Sequence, residues 1–153
     1  MKKKWEFAKK VEGMSAKALR RRIQEGYDYK MPDIAAVPYV GEPDERVTYD
    51  YLELVAKCPM TGILDTYRVI IDYIPNKLLP ELKSLKLYFL AFEDLPISHE
   101  HLGSKIYKEI LLALKPTSLL VRLLTKVRGG IYTTISKGDI NVSSDLKIRK
   151  MEW

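Results

Sequence analysis

A chain of 153 residues is long enough for one domain with a real core and too short for two independent ones. Its 46% apolar and 10% aromatic content excludes general disorder, and charges interrupt every apolar run before it reaches membrane-spanning length. The net charge of +6 resides wholly in residues 1–30, where ten Lys/Arg face four acids; the remaining 123 residues balance at 16 to 16, so the body lacks the composition of a nucleic-acid binder.

The opening MKKKWEF has no apolar signal core, and a lone cysteine cannot form an internal disulfide, so a cytoplasmic location is expected. Residues 1–45 read as a basic N-terminal extension. Ser15 is placed to cap a helix from Ala16 to about Glu25, ended by Gly26, and Pro32, Pro38, Gly41 and Pro43 then break regular structure. This arm is either a solvated extension or a contact for RNA or another polyanion; the absence of an aromatic stacking pattern favours the first.

The domain proper spans 46–153. Residues 46–56 (RVTYDYLELVA) and 66–74 (TYRVIIDYI) alternate as strands, the second with Tyr67, Val69, Ile71 and Tyr73 on one face. They predict an antiparallel pair around the loop CPMTGILD. Pro80 suits the first turn of a helix whose stripe is Leu82, Leu85, Phe89 and Phe92, with Lys83 and Lys86 on one flank. Ser98 caps a second helix with the stripe Leu102, Ile106, Ile110 and Leu114, opposite Lys105, Lys108 and Glu109. Residues 117–127 and 130–136 follow as strands joined across Gly129-Gly130. The order is ββααββ, an α+β domain with helices on one face of an antiparallel sheet; the tail from Lys137 has no assignment.

Few residues here can carry chemistry. Cys58 stands at a strand end in a turn-rich loop, where a reactive thiol is displayed, although a lone cysteine is more often an inert core residue. Asp65 lies across the turn and can manage a proton for it. His99-Glu100-His101 offers two imidazoles with no second cysteine or further histidine, too few ligands for zinc. Glu100 either serves the helix dipole or accepts two N–H bonds from a guanine-like edge. Lys83 and Lys86 make a solvated flank or a phosphate contact, and Arg128-Gly129-Gly130 a turn or a phosphate cradle. No glycine-rich dinucleotide fingerprint or P-loop is present.

ELKSLKLYF at 81–89 matches the signature of the 7-cyano-7-deazaguanine reductases, and CPMTGILD at 58–65 is similar to that family's cysteine loop. The His99-Glu100 pair and RGGI at 128–131 follow in the family's order, so the resemblance covers roughly residues 46–135. It implies the tunnelling fold, whose ββααββ protomers close into a cyclic barrel with sites between subunits of a homo-oligomer. It also implies NADPH-dependent reduction of the nitrile of 7-cyano-7-deazaguanine, the small-molecule substrate, in tRNA queuosine biosynthesis. By resemblance Cys58 forms a thioimide and Asp65 donates the proton. Pro80, Glu81, Leu82, His99 and Glu100 would recognise the base, while Leu82, Lys83, Lys86, Arg128 and Gly129 would hold NADPH. Pro80, Leu64 and Val127 depart from the usual residues, though none is a reacting group. A rival is an amidinotransferase resembling archaeosine synthase, acting on nitrile-bearing tRNA; it would lack the ELKSLK signature.

Overall fold

A computed structural model describes residues 14–139. Its elements in order are α1 (Ala16–Asp28), β1 (Ala36–Pro38), β2 (Val47–Lys57), β3 (Leu64–Ile74), β4 (Leu78–Pro80), α2 (Leu82–Leu90), α3 (His99–Leu114), β5 (Ser118–Thr125) and β6 (Thr134–Gly138). A four-stranded antiparallel sheet runs β2-β3-β5-β6, and β1 pairs with β4 in a separate two-stranded piece. The expected α+β class holds; the helix expected from Ala16 forms as α1, with Ser15 Oγ accepting from Ala18 N–H at 3.2 Å, and the short strands β1 and β4 are additions to the predicted elements. No helix among the described residues is long and apolar enough to cross a membrane.

Alternation does what it predicts on β3. Tyr67, Val69, Ile71 and Tyr73 are all buried and meet Leu119, Val121 and Leu123 of β5, with α2 and α3 packed over this face. The α3 stripe Leu102, Ile106, Ile110 and Leu114 is likewise buried. On β2 the pattern slips. Tyr51 pairs with Val69 and Leu54 with Tyr67, so three residues on β2 advance against two on β3. This bulge moves the inward set from Val47, Tyr49 and Tyr51 to Leu54 and Ala56. Cys58 continues that second parity, on the face of Asp65 and Tyr67.

Four details of the predicted helices are corrected. Pro80 belongs to β4, and α2 starts at Leu82 with Glu81 as N-cap, its carboxylate accepting from the backbone N–H of Lys83 (2.9 Å) and Ser84 (2.7 Å). Leu82 is exposed rather than part of the buried stripe, which Leu85, Tyr88 and Phe89 form. Lys105 is buried, because α1 and the chain after it cover that side of α3. A lone ammonium there would cost several kcal/mol, and each of its three N–H donors has an acceptor: Tyr27 O at 2.8 Å, Tyr29 O at 2.7 Å and Glu109 Oε1 at 2.9 Å. The first two are carbonyls at the C-terminal end of α1, left without intrahelical partners, so Lys105 caps that helix and ties it to α3.

The fourth correction concerns Gly26, which does not end α1 but lies inside it, buried. A Cβ there would sit 2.1 Å from Pro96 O, so glycine permits the helix to press on the 95–97 segment. The chain before residue 46 is therefore not a free appendage where it is described. Met31 joins the core, and Ala35 O accepts from Glu81 N–H at 2.8 Å. Helix propensity alone would make Gly26→Ala stabilising by about 1 kcal/mol. The close contact reverses the sign, and we expect a net loss of roughly 1–3 kcal/mol, seen as a thermal midpoint several degrees lower. A raised midpoint would mean α1 does not dock on this segment.

The late hairpin matches its prediction in kind. Arg128 and Ile131 exchange backbone bonds of 3.0 and 2.9 Å around Gly129 (φ 55°) and Gly130 (φ 81°), a turn that needs left-handed backbone at both positions. The unassigned tail enters β6 as far as Gly138; residues 140–153 lie outside the described residues.

Candidate active site

The loop after β2 is folded back on itself by local bonds. Cys58 N–H donates to Ile63 O at 2.9 Å and Gly62 N–H to Cys58 O at 2.8 Å, with Gly62 at φ 71°. This tight turn holds the half-buried thiol at the strand end. Partial burial pushes the Cys58 thiol up. Hydrogen bonds from the Thr61 side chain and from the backbone of Met60 and Thr61, with the Arg128 charge, outweigh it and bring the thiol below its ordinary range. A lowered thiol has a larger thiolate fraction at neutral pH, and thiolate is the nucleophile. Since Arg128 favours the anion, Arg128→Gln should move the alkylation profile of Cys58 to higher pH; an unshifted profile would remove Arg128 from the thiol's environment.

Asp65 faces the same space. In the β2–β3 ladder it pairs with Ala56, and its side chain is only 12% exposed. Arg128 Nη2 donates to Asp65 Oδ1, while Tyr67 O–H donates to Oδ2 at 3.3 Å. Burial, then the charges of Cys58 and Glu100, push the Tyr67 phenol far above its ordinary range, so it remains a neutral donor.

Glu100 arrives from another part of the chain. Lys57 N–H donates to Leu95 O (3.1 Å) and Ile97 N–H to Lys57 O (3.0 Å), a short parallel bridge that clips the 95–97 segment beside the end of β2. The N-terminus of α3 is thereby delivered next to the cysteine loop. His99 Nε2 lies 2.9 Å from Glu100 Oε1, whereas His101 Nδ1 is 2.5 Å from Ser98 Oγ, so the two imidazoles have different partners. Among the described residues no cluster of His, Cys, Asp and Glu could hold a metal ion.

The expected site residues fall into two groups. Cys58, Asp65, Arg128 and Glu100 converge with Tyr67, as judged by their contacts and mutual charge effects, and His99 is paired to Glu100. Pro80, Glu81, Leu82, Lys83 and Lys86 gather elsewhere. Leu82 and Lys86 border a shallow groove with Tyr49, Asp50 and Tyr51 of β2, and Lys86 Nζ lies 3.0 Å from Tyr51 Oη and 3.1 Å from Glu53 Oε2. Tyr51 and Cys58 are seven residues apart on an extended strand, roughly 20 Å. Two participants escape sequence reading: Tyr67, whose place in the apolar alternation marks it as core, and Thr61, an ordinary turn residue.

The family model described as QueF-like protein matches residues 65–142, just over half the chain. The NADPH-dependent 7-cyano-7-deazaguanine reductase of Chloroherpeton thalassium is 42% identical over 84 residues, covering 55% of this chain and 72% of the relative. That of Thermotoga maritima is 36% identical over 117 residues, covering 75% and 85%. The apo crystal structure of the archaeosine synthase QueF-Like superposes with a TM-score of 0.56 at 18% identity, covering 65% of this chain and 96% of that one. At that identity the likeness concerns the fold alone.

Proposed function

The chain belongs to the QueF-like family, and from that premise we propose that it reduces the nitrile of 7-cyano-7-deazaguanine to the aminomethyl base with NADPH. The convergence of a lowered thiol, a buried carboxylate and an arginine in one corner of the sheet carries the mechanistic reading. The kinship with reductases of this substrate supports the choice of reaction.

In this reading Cys58 Sγ attacks the nitrile carbon, one C–N π pair moves to nitrogen, and Asp65 supplies the proton, leaving a thioimide on Cys58. Bound NADPH would supply one hydride in each of two successive rounds, the oxidised cofactor being exchanged for a second NADPH between them, and so bring the carbon to the aminomethyl level. The chain has groups suited to the cofactor's anionic part: Lys83 and Lys86 on an exposed flank of α2, and Arg128 beside the open, left-handed backbone of Gly129. Leu82, beside them, offers apolar surface. The base would be held by Glu100 with His99, and by Glu81 with its neighbours Pro80 and Leu82. Glu81 already spends its carboxylate on the cap of α2 and is held below the usual carboxylate range by the Lys83 and Ser84 N–H groups, so it stays an acceptor.

Because the α2 group stands beside the middle of β2 and the Cys58 group just past its end, the complete site would lie between protomers, the α2 group of one facing the Cys58 group of the next. The four-stranded sheet leaves β2 and β6 as its edges, which supports closure of several copies into the cyclic barrel of the tunnelling fold, with ββααββ as the repeating unit. A lone nucleophilic thiol is best preserved in a reducing compartment, which we take to be the cytosol.

Oxidation of NADPH on adding the free nitrile base tests the proposal. The rival reading, an amidinotransferase on nitrile-bearing tRNA, has the cationic face of α1 (Lys17, Arg20, Arg21) in its favour. It wins if NADPH is untouched while such tRNA is modified.

A further inference from the structure

Asp65 has both oxygens engaged, and by partners of different kinds. Oδ1 meets the guanidinium of Arg128, a residue of an exposed turn. Oδ2 meets the hydroxyl of Tyr67, which is 1% exposed and begins the buried face of β3. A phenylalanine would fill the same apolar position, and burying a hydroxyl costs free energy unless it is hydrogen-bonded. The O–H at position 67 therefore has its use at Asp65. The charges of Cys58 and Glu100 both reach this phenol, which places it inside the reacting corner.

We propose that Tyr67 is the positioning residue for Asp65: it holds Oδ2 as the hydrogen-bond acceptor, so that the transferable proton resides on Oδ1. The inference rests on the thioimide reading above. A buried neutral phenol can donate one hydrogen bond, and a protonated carboxyl has one oxygen that accepts and one that carries the proton. With Oδ2 committed to Tyr67, Oδ1 is the oxygen left to protonate once Arg128 moves off it, and Oδ1 is the oxygen turned toward the partner on the exposed turn. In the covalent step the Sγ–C bond forms, one C–N π pair moves to nitrogen, and nitrogen takes the proton from Oδ1, leaving Asp65 as a carboxylate. This selection of one oxygen by a neighbouring donor parallels the way an orienting group fixes the tautomer of a catalytic histidine.

The test is the rate of the Cys58 adduct, followed by intact mass without NADPH, across pH, in wild type and Tyr67→Phe. Loss of one hydrogen bond to a charged group should slow adduct formation about tenfold or more. Since the carboxylate loses a donor, one limb of the pH profile should move to higher pH. The thiol limb, read separately by alkylation, should stay in place. The Tyr67→Phe and Asp65→Asn effects should be strongly non-additive in the double variant, because one acts through the other. A rate within twofold of wild type, or a slowed rate with both limbs unmoved, overturns the inference. So does full additivity. If the wild type itself forms no adduct, the thioimide reading falls and takes the inference with it, a result distinguishable from failure at Tyr67 alone.

Discussion

Cys58→Ala should bring nitrile-dependent NADPH oxidation down to background, a loss of at least about ten-thousandfold, while leaving the fold intact. The thiol is half-buried in a turn held by backbone bonds, and neither bond uses Sγ. Its removal therefore costs little packing. Covalent capture, by contrast, has no substitute in this corner. Asp65 is held between Arg128 and Tyr67, and a carboxylate oxygen is a poorer nucleophile toward a nitrile than thiolate sulfur. Intact mass spectrometry supplies the direct reading: a base-sized adduct on the wild-type chain, absent from the variant. Persistence of that adduct in Cys58→Ala would move the nucleophile to another residue and dissolve the assignment made to this loop.

The second large effect follows from the division of the site. The charge-reversed pair Lys83→Glu/Lys86→Glu should raise the KM for NADPH roughly a hundredfold, at about 1.4 kcal/mol for each lost phosphate contact. Cys58→Ala should be inactive by itself. Both side chains on α2 are exposed, and Tyr51, against which Lys86 lies, is roughly 20 Å along the chain from Cys58, so in the proposed oligomer each variant would damage a different part of the interface. Unfolding and refolding an equal mixture should then restore activity to about a quarter of wild type, since a random pairing places an intact α2 against an intact Cys58 loop in one interface of four. No recovery in the mixture, measured at low NADPH, would place both groups in one protomer's site or dismiss the α2 lysines from it.

Short-range patterns carried most of the secondary structure. The β3 face, the α3 stripe and the Gly129-Gly130 turn are each dictated by neighbours in the chain: alternating apolar residues, apolar residues at helical spacing, and two left-handed positions that glycine alone takes without strain. Where the pattern failed, a distant partner had intervened. Gly26 has the look of a helix stop until Pro96 lies against it, and Lys105 that of a solvated flank until α1 covers it. Proline at position 80 invites a helix start, yet β1 recruits it into a strand and leaves the cap to Glu81.

The candidate site divides along the same line. The residue types at Cys58, Asp65, Glu100 and Arg128, and their order in the chain, are properties of the sequence by itself, because reactivity begins with the chemistry of the side chain. Their meeting belongs to the tertiary structure. One bulged residue in β2 decides which face receives Cys58, and the bridge at Lys57 decides where Glu100 arrives. The pairing across the β3–β5–β6 sheet and its hairpin decides that Arg128 rests on Asp65. Register and long-range hydrogen bonding set those positions, and neither is written in any local run of residues.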